Sequence, residues 1–262
     1  MNNESPLKAI IVVTATAFLC SILVTIAAVT LQPIQRAYQD LELNRAIVGI
    51  SGLTERASEL SDREIISLFR DLEARIIDLD SGKFDTSYNA DTFDTRKAAG
   101  NPELSTAIPA QQDLAKLGRR SRLVTVYLVK DATDLKRILL PIYGKGMWST
   151  LYAFIALEPD LNTIVDITFY EQAETAGIGD LILRPDWQAS WRGRKLYDES
   201  GTVRFQIGGA KIEPATLAAV YQVDSISGAT VTVDAVTNLV RYWFGPHGFA
   251  PFLGAFRAEA SR

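Results

Sequence analysis

The chain has 262 residues, 47% of them hydrophobic and 22% charged, enough to bury a sizeable core once any membrane segment is set aside. A formal net charge of −4, with no run of Lys and Arg interleaved with aromatics, excludes a nucleic-acid partner. The single cysteine, Cys20, lies in an apolar run, which excludes disulfides and thiolate-held zinc or iron–sulfur centres from the rest of the chain.

Residues 9–31 carry no charge, and at 1.5 Å per residue they span roughly 35 Å, enough for a hydrocarbon core of about 30 Å. This predicts one transmembrane helix. The rival reading is a signal peptide cut after Ala27 or Ala28. The length of the run, and a leading segment whose only basic side chain, Lys8, is opposed by Glu4, favour the anchor. Leu19 is too large to precede the modified cysteine of a lipoprotein signal. Lys8 on one side and Arg36 and Arg45 on the other leave the orientation uncoded. The expected organisation is a tail over 1–8, the helix over 9–31, a stalk or linker over 32–60 and a water-soluble domain over 61–262.

Past Pro33, residues 34–47 are helix-like and extend the anchor. Ser61 and Asp62 cap a short amphipathic helix with Ile65, Ile66, Phe69 and Leu72 on its apolar face. Residues 75–79 read as a strand closed by a turn at Asp80, Ser81 and Gly82, residues 83–109 as an irregular surface loop, and 111–117 as a short helix. Strands are predicted over 123–129, 137–142, 151–157 and 164–170, the last two joined by the hairpin Glu158-Pro159-Asp160-Leu161-Asn162. There follow a short helix over 185–191, a strand over 202–207, a turn at Gly208 and Gly209, and a short helix or irregular link over 214–220. A strand over 220–223 leads to a helix over 233–244, where Val233, Val236, Val240 and Trp243 recur at helical spacing. Successive strands with hairpin-length links, and no Rossmann glycine fingerprint, predict an α+β fold. It consists of a single N-terminal transmembrane helix followed by a mixed, mostly antiparallel sheet with flanking helices.

Three stretches could carry chemistry. The first is the strand-to-helix turn from Asp224 to Thr232, with Ser225, Ile226, Ser227, Gly228, Ala229, Thr230 and Val231 between. The first N–H groups of a helix lack intrahelical partners and attract anions, Gly228 and Ala229 leave room at the backbone, and Ser227, Thr230 and Thr232 supply hydroxyls. The same residues also fit a plain N-cap, with Thr232 as the cap and Asp234 in the first turn. The second stretch is Tyr143 to Thr150, where Gly144 and Gly146 present Trp148 at a strand entry, either as a core side chain or as a flat surface for a planar ring. The third is Glu171 to Gly179, a polar loop after a strand. Glu171 and Glu174 could form an acid/base pair only across a substrate pocket that the residues do not reveal. His247, between Pro246 and Gly248, reads as a surface turn histidine and not as a member of a catalytic triad.

Taken together, these stretches resemble the C-subunit family of the sodium-translocating NADH:quinone oxidoreductase, the covalent FMN-binding subunits of a bacterial respiratory complex. The resemblance runs over nearly the whole chain: Leu31-Gln32-Pro33, Tyr143 to Thr150, Ala156 to Thr163, Ile167 to Glu171, Glu174-Thr175, Gly208-Gly209-Ala210, Asp224 to Thr232, and Gly248 to Leu253. It implies FMN bound covalently through a phosphoester to Thr230, installed from FAD by a separate flavin transferase with Mg²⁺ outside the cytoplasm. It further implies a single-pass protein of the bacterial inner membrane with residues 1–8 cytoplasmic and the domain periplasmic, and the other membrane subunits of the complex as partners.

By the same resemblance the FMN-binding residues are Asp224, Ser227, Gly228, Ala229, Thr230 and Thr232, with Trp148, Glu174, Thr175, Gly177 and Ile178 as walls of the ring site. Gln172, Ala173 and Ala176 stand where the family has His, Gly and Pro, and Met147 and Ile178 where Leu is usual. The implied function is one-electron relay inside an oxidoreductase that couples electron flow from NADH to quinone with sodium export, with no independent turnover by this chain. Two alternatives stay open: the homologous FMN subunit of the ion-translocating ferredoxin:NAD oxidoreductase, and a cofactor-free anchored binding or assembly protein.

Overall fold

A computed structural model of the chain describes residues 6–54, 56–208 and 216–260, and divides them between two compact units, 1–43 and 44–262. Helix α1 (Pro6–Ser51) supplies all that is described of the first unit. Its side chains are exposed from Pro6 to Asp40, and among the described residues it is the one helix long and apolar enough to cross a membrane. Two hydroxyls in this stretch suit lipid surroundings: Thr25 Oγ1 donates to the Ser21 carbonyl (2.7 Å) and Thr30 Oγ1 to that of Ile26 (2.9 Å), so both are satisfied by their own helix. Pro33 is accommodated inside the helix.

The second unit is built on a six-stranded antiparallel sheet. After α2 (Asp62–Arg70) come β1 (Glu73–Asp78), β2 (Lys83–Asp85), α3 (Thr95–Gly100), β3 (Ser105–Ala107) and β4 (Arg119–Ser121). Then follow β5 (Leu123–Asp131), β6 (Asp134–Lys145), β7 (Thr150–Leu157), β8 (Ile164–Glu171), α4 (Pro185–Ala189), β9 (Gln206–Gly208), β10 (Gln222–Asp224), α5 (Thr230–Trp243) and α6 (Ala250–Ala260). The sheet order is β2-β1-β5-β6-β7-β8, with every pairing antiparallel. A separate parallel pair, β9 and β10, makes the architecture mixed, as the sequence predicts.

Period-two alternation gives the sheet two apolar faces. Val124 and Val126 of β5, Ile138, Leu140 and Ile142 of β6, and Leu151, Ala153 and Ile155 of β7 join the main core with Val233, Val236, Leu239 and Trp243 of α5. The Trp243 indole anchors α5 by donating to the Tyr143 carbonyl (2.7 Å). On the other face Phe69 of α2 lies 5.4 Å from Tyr127, and Ile47, Val48, Ile50 and Ile65 are buried. The hairpin between β7 and β8 forms as predicted: Asp160 accepts from the N–H groups of Asn162 and Thr163, and Leu161 takes the left-handed conformation.

Several local expectations are corrected. The stretch 83–109 is not an irregular loop: it holds β2, α3 and β3, with Asp94 capping α3 through the N–H groups of Arg96 and Lys97. The helix predicted over 111–117 is a series of turns, because the Asp113 carboxylate accepts from Leu117 and Gly118 N–H and draws the backbone into left-handed geometry at Lys116 and Gly118. The strand predicted over 202–207 shortens to β9, since Asp198 holds Ser200 and Thr202 in a turn. Ile66 is exposed, so the buried face of α2 is narrower than its pattern. Helix α6, which the sequence pattern does not announce, carries Pro251 where a first-turn proline is tolerated, and packs Phe252 and Phe256 on Phe84. The turn at Gly209 and the residues 210–215 lie outside the described residues; Leu217–Val220 is a 3-10 turn.

Candidate functional site

Strand β10 delivers the chain to the turn over 225–229, and the Trp187 indole fixes the exit by donating to the Asp224 carbonyl (3.0 Å). Gly228 has a φ of +82° and open space where a side chain would stand, so this turn needs glycine and leaves its backbone accessible. Ala229, buried, closes the turn onto the Ile226 carbonyl (3.1 Å) and is the N-cap residue of α5. It offers no side-chain acceptor, so the N-cap residue itself leaves the first N–H groups of this helix without a side-chain cap.

The helix begins at Thr230, three residues before the predicted start. This corrects the role of Thr232, which is the third helical residue and not the cap. Thr232 is 2% exposed, and its Oγ1 donates to Glu174 Oε2 at 2.7 Å. Thr230 and Ser227 are exposed.

Glu174 ties the three stretches together. It is 8% exposed, and its Oε1 accepts from the N–H groups of Trp148 (3.0 Å) and Ser149 (3.2 Å) and from Ser149 Oγ (3.4 Å). Its Oε2 accepts from Met147 N–H (3.2 Å) and from Thr232. Burial pushes this carboxyl up, but the hydrogen bonds from Thr232 and from the N–H groups of Trp148, Ser149 and Met147 outweigh burial and hold it below the ordinary carboxylate value. Two glycines make room for it. A Cβ at Gly146 would lie 2.6 Å from Glu174 Oε1, and one at Gly179 would lie 2.8 Å from Glu174 Cβ and 2.9 Å from Thr232 Oγ1.

The Trp148 ring is 65% exposed, so it is not a core side chain; its indole N–H donates to Thr175 Oγ1 (3.0 Å) and holds it against the 174–179 loop. Met147, Ile178 and Val231 add exposed apolar surface, and Gly177 turns the loop with a φ of +74°. Gln172 Oε1 accepts from Glu174 N–H, and Ser149 Oγ of the Trp148 loop accepts from Ala173 N–H (2.8 Å), so the loop is held by one of its own side chains and one of its neighbour's despite its departures from the family pattern. Ala176 is exposed.

Glu171 and Glu174 do not form an acid/base pair. Glu171 pairs with Arg96 at 2.7 Å, whereas Glu174 is enclosed by N–H and hydroxyl donors. His247 follows the far end of α5, about 20 Å of helix from Thr230, so no triad joins them. Gly146, Ser149 and Gly179 lie inside the two stretches that the sequence singles out but are not among the FMN-binding residues it names, because a small residue in a loop reads equally as turn chemistry.

An exposed hydroxyl on the first residue of a helix whose N-cap residue has no side-chain acceptor, an accessible glycine turn, and an exposed indole held by Thr175 on a loop whose backbone is tied to Glu174 fit a ligand that joins a phosphate to a planar ring. Comparisons with known proteins agree. The model of the FMN-binding domain family matches residues 146–245, from the Trp148 loop to the end of α5. The chain is 40% identical to the C subunit of the Na(+)-translocating NADH-quinone reductase of Pseudomonas aeruginosa, over 98% of both chains. It is 38% identical to that of Vibrio alginolyticus, over 98% of this chain and 97% of the relative. The crystal structure of Shewanella oneidensis NqrC superposes with a TM-score of 0.73 at 35% identity, covering 84% of this chain and 98% of that one.

Proposed function

The chain belongs to the NqrC family, the C subunits of the Na(+)-translocating NADH-quinone reductase, and from that membership we propose that Thr230 carries the FMN of this subunit as a phosphoester. The protein is an FMN-carrying, membrane-anchored subunit of that oxidoreductase complex, and its partners are the other subunits. When bound, FMN supplies the electron-carrying chemistry.

The observation that carries the attachment is the position of Thr230, an exposed hydroxyl opening a helix whose N-cap residue, Ala229, has no side-chain acceptor. Ser227, Gly228 and Ala229 would shape the turn beside the phosphate, and Trp148, Thr175, Gly177 and Ile178 would border the ring. In the attachment reaction the Thr230 oxygen forms a bond to the FMN phosphorus of flavin adenine dinucleotide. The pyrophosphate P–O bond would break with AMP as the leaving group, which would carry off the charge, and the hydroxyl proton would be lost to the surroundings of the transferase site. Attachment by an enzyme outside the cytoplasm puts the domain in the periplasm and residues 1–8 in the cytoplasm, with α1 crossing the inner membrane. The match over nearly the full length of the quinone-reductase subunits favours this complex over the ferredoxin:NAD oxidoreductase and over a cofactor-free assembly protein.

Co-expression with a flavin transferase should add the mass of one FMN to the full chain, retained through denaturation, and Thr230→Ala should abolish that addition. Flavin that stays on the denatured Thr230→Ala chain would reject the attachment residue.

A further inference from the structure

The resemblance treats Glu174 as a wall of the ring site, but its geometry gives it a different task. The N-cap residue of helix α5, Ala229, supplies no side-chain cap, and a first turn without one frays unless something else holds it. Among the described residues, such a hold is the bond from Thr232 Oγ1 to Glu174 Oε2, at 2.7 Å. The same carboxylate gathers three successive backbone N–H groups, those of Met147, Trp148 and Ser149. Among the described residues no Lys or Arg pairs with it, so this buried anion is balanced entirely by hydrogen-bond donors from two segments far apart in sequence. Both glycines packed on it exclude any larger residue without displacement.

We propose that Glu174 is the positioning residue of the attachment site: it fixes the first turn of α5 to the Trp148 loop, and by engaging the Thr232 hydroxyl it leaves Thr230 as the threonine that is modified. This rests on the reading of Thr230 as the flavin-bearing residue. Thr230 and Thr232 lie two positions apart and carry identical chemistry, yet the hydroxyl of Thr232 is buried and already donates to Glu174, whereas Thr230 is exposed. The clasp therefore sets both which hydroxyl is available and where it lies relative to Trp148.

The test uses the full-length chain in detergent, as wild type, Glu174→Gln, Thr232→Val and Thr232→Ser. Two measurements are made: amide hydrogen exchange over residues 147–149 in flavin-free protein, and FMN loading with its peptide position after co-expression with a flavin transferase. Losing one hydrogen bond of the clasp, at about 1 kcal/mol, should speed exchange of those amides and lower loading by roughly fivefold each in Glu174→Gln and Thr232→Val. Thr232→Ser, which keeps the hydroxyl, should restore both, a rescue that general loss of stability would not produce. Wild-type exchange and loading in Thr232→Val, or FMN mapped to Thr232 in the wild type, would overturn the proposal. If the wild type accepts no FMN, the attachment reading itself fails, and the exchange arm, which needs no flavin, still decides whether Glu174 clasps the two segments.

Discussion

At the scale of single residues, small side chains and one carboxylate decide the site. Gly146→Ala would place a methyl carbon 2.6 Å from Glu174 Oε1 and 3.0 Å from Leu151 Cγ, so it should cost about 1–3 kcal/mol and lower the thermal midpoint. Gly177→Ala meets nothing within 4 Å and suffers only the strain of its φ of +74°, about 1 kcal/mol, so thermal melts should rank it the milder. Glu174 also predicts a pH dependence. Its folded-state value lies below the ordinary 4.5, so its contribution is fully present above about 4.5 and is lost as pH falls through the lower folded value. Urea unfolding followed downward from neutral pH should show this acid loss in the wild type and a shallower loss in Glu174→Gln. At this scale the motif over 227–230 is legible in the sequence because its residues are contiguous. The role of Gln172 is not: the resemblance leads one to expect His there, but the Gln172 side chain closes the loop by accepting from Glu174 N–H.

At the scale of elements, the strands are legible and the excursion before them is not. β5 to β8 follow from period-two alternation and a hairpin with a named turn chemistry. Helix α3 is short and polar, with no apolar stripe to announce it, and it is held by a contact that only the fold creates. The Arg96 guanidinium lies 3.6 Å over the Tyr152 ring of β7 and pairs with Glu171 of β8 at 2.7 Å. Arg96→Ala should therefore cost about 1–2 kcal/mol in urea unfolding and make residues 86–109 more sensitive to limited proteolysis. A faster-cleaved excursion with unchanged global stability would show that Arg96 only tethers α3. Helix α5 sits between the two cases: its apolar spacing predicts a helix, but its start moves from 233 to 230, because the first turn is held by a tertiary bond and not by a local cap.

At the scale of the whole molecule, the chain consists of two units that answer to different solvents. Residues 44–262 contain both faces of the sheet and the helices that cover them, so this fragment should fold and remain in the supernatant after ultracentrifugation, whereas the full chain should require detergent. Sedimentation of the fragment with the membrane fraction would show that the domain carries membrane affinity of its own. The order of amino acids was enough for the anchor, the α+β class and the hydroxyl-bearing turn, because an uncharged run, alternation and a contiguous motif are local properties that hold wherever the chain goes. Which loops meet at that turn, and which threonine stays free, depended on tertiary folding. Glu174 reaches Trp148 across 26 positions and Thr232 across 58, and hydrogen bonds over such separations exist only after the strands between them have paired.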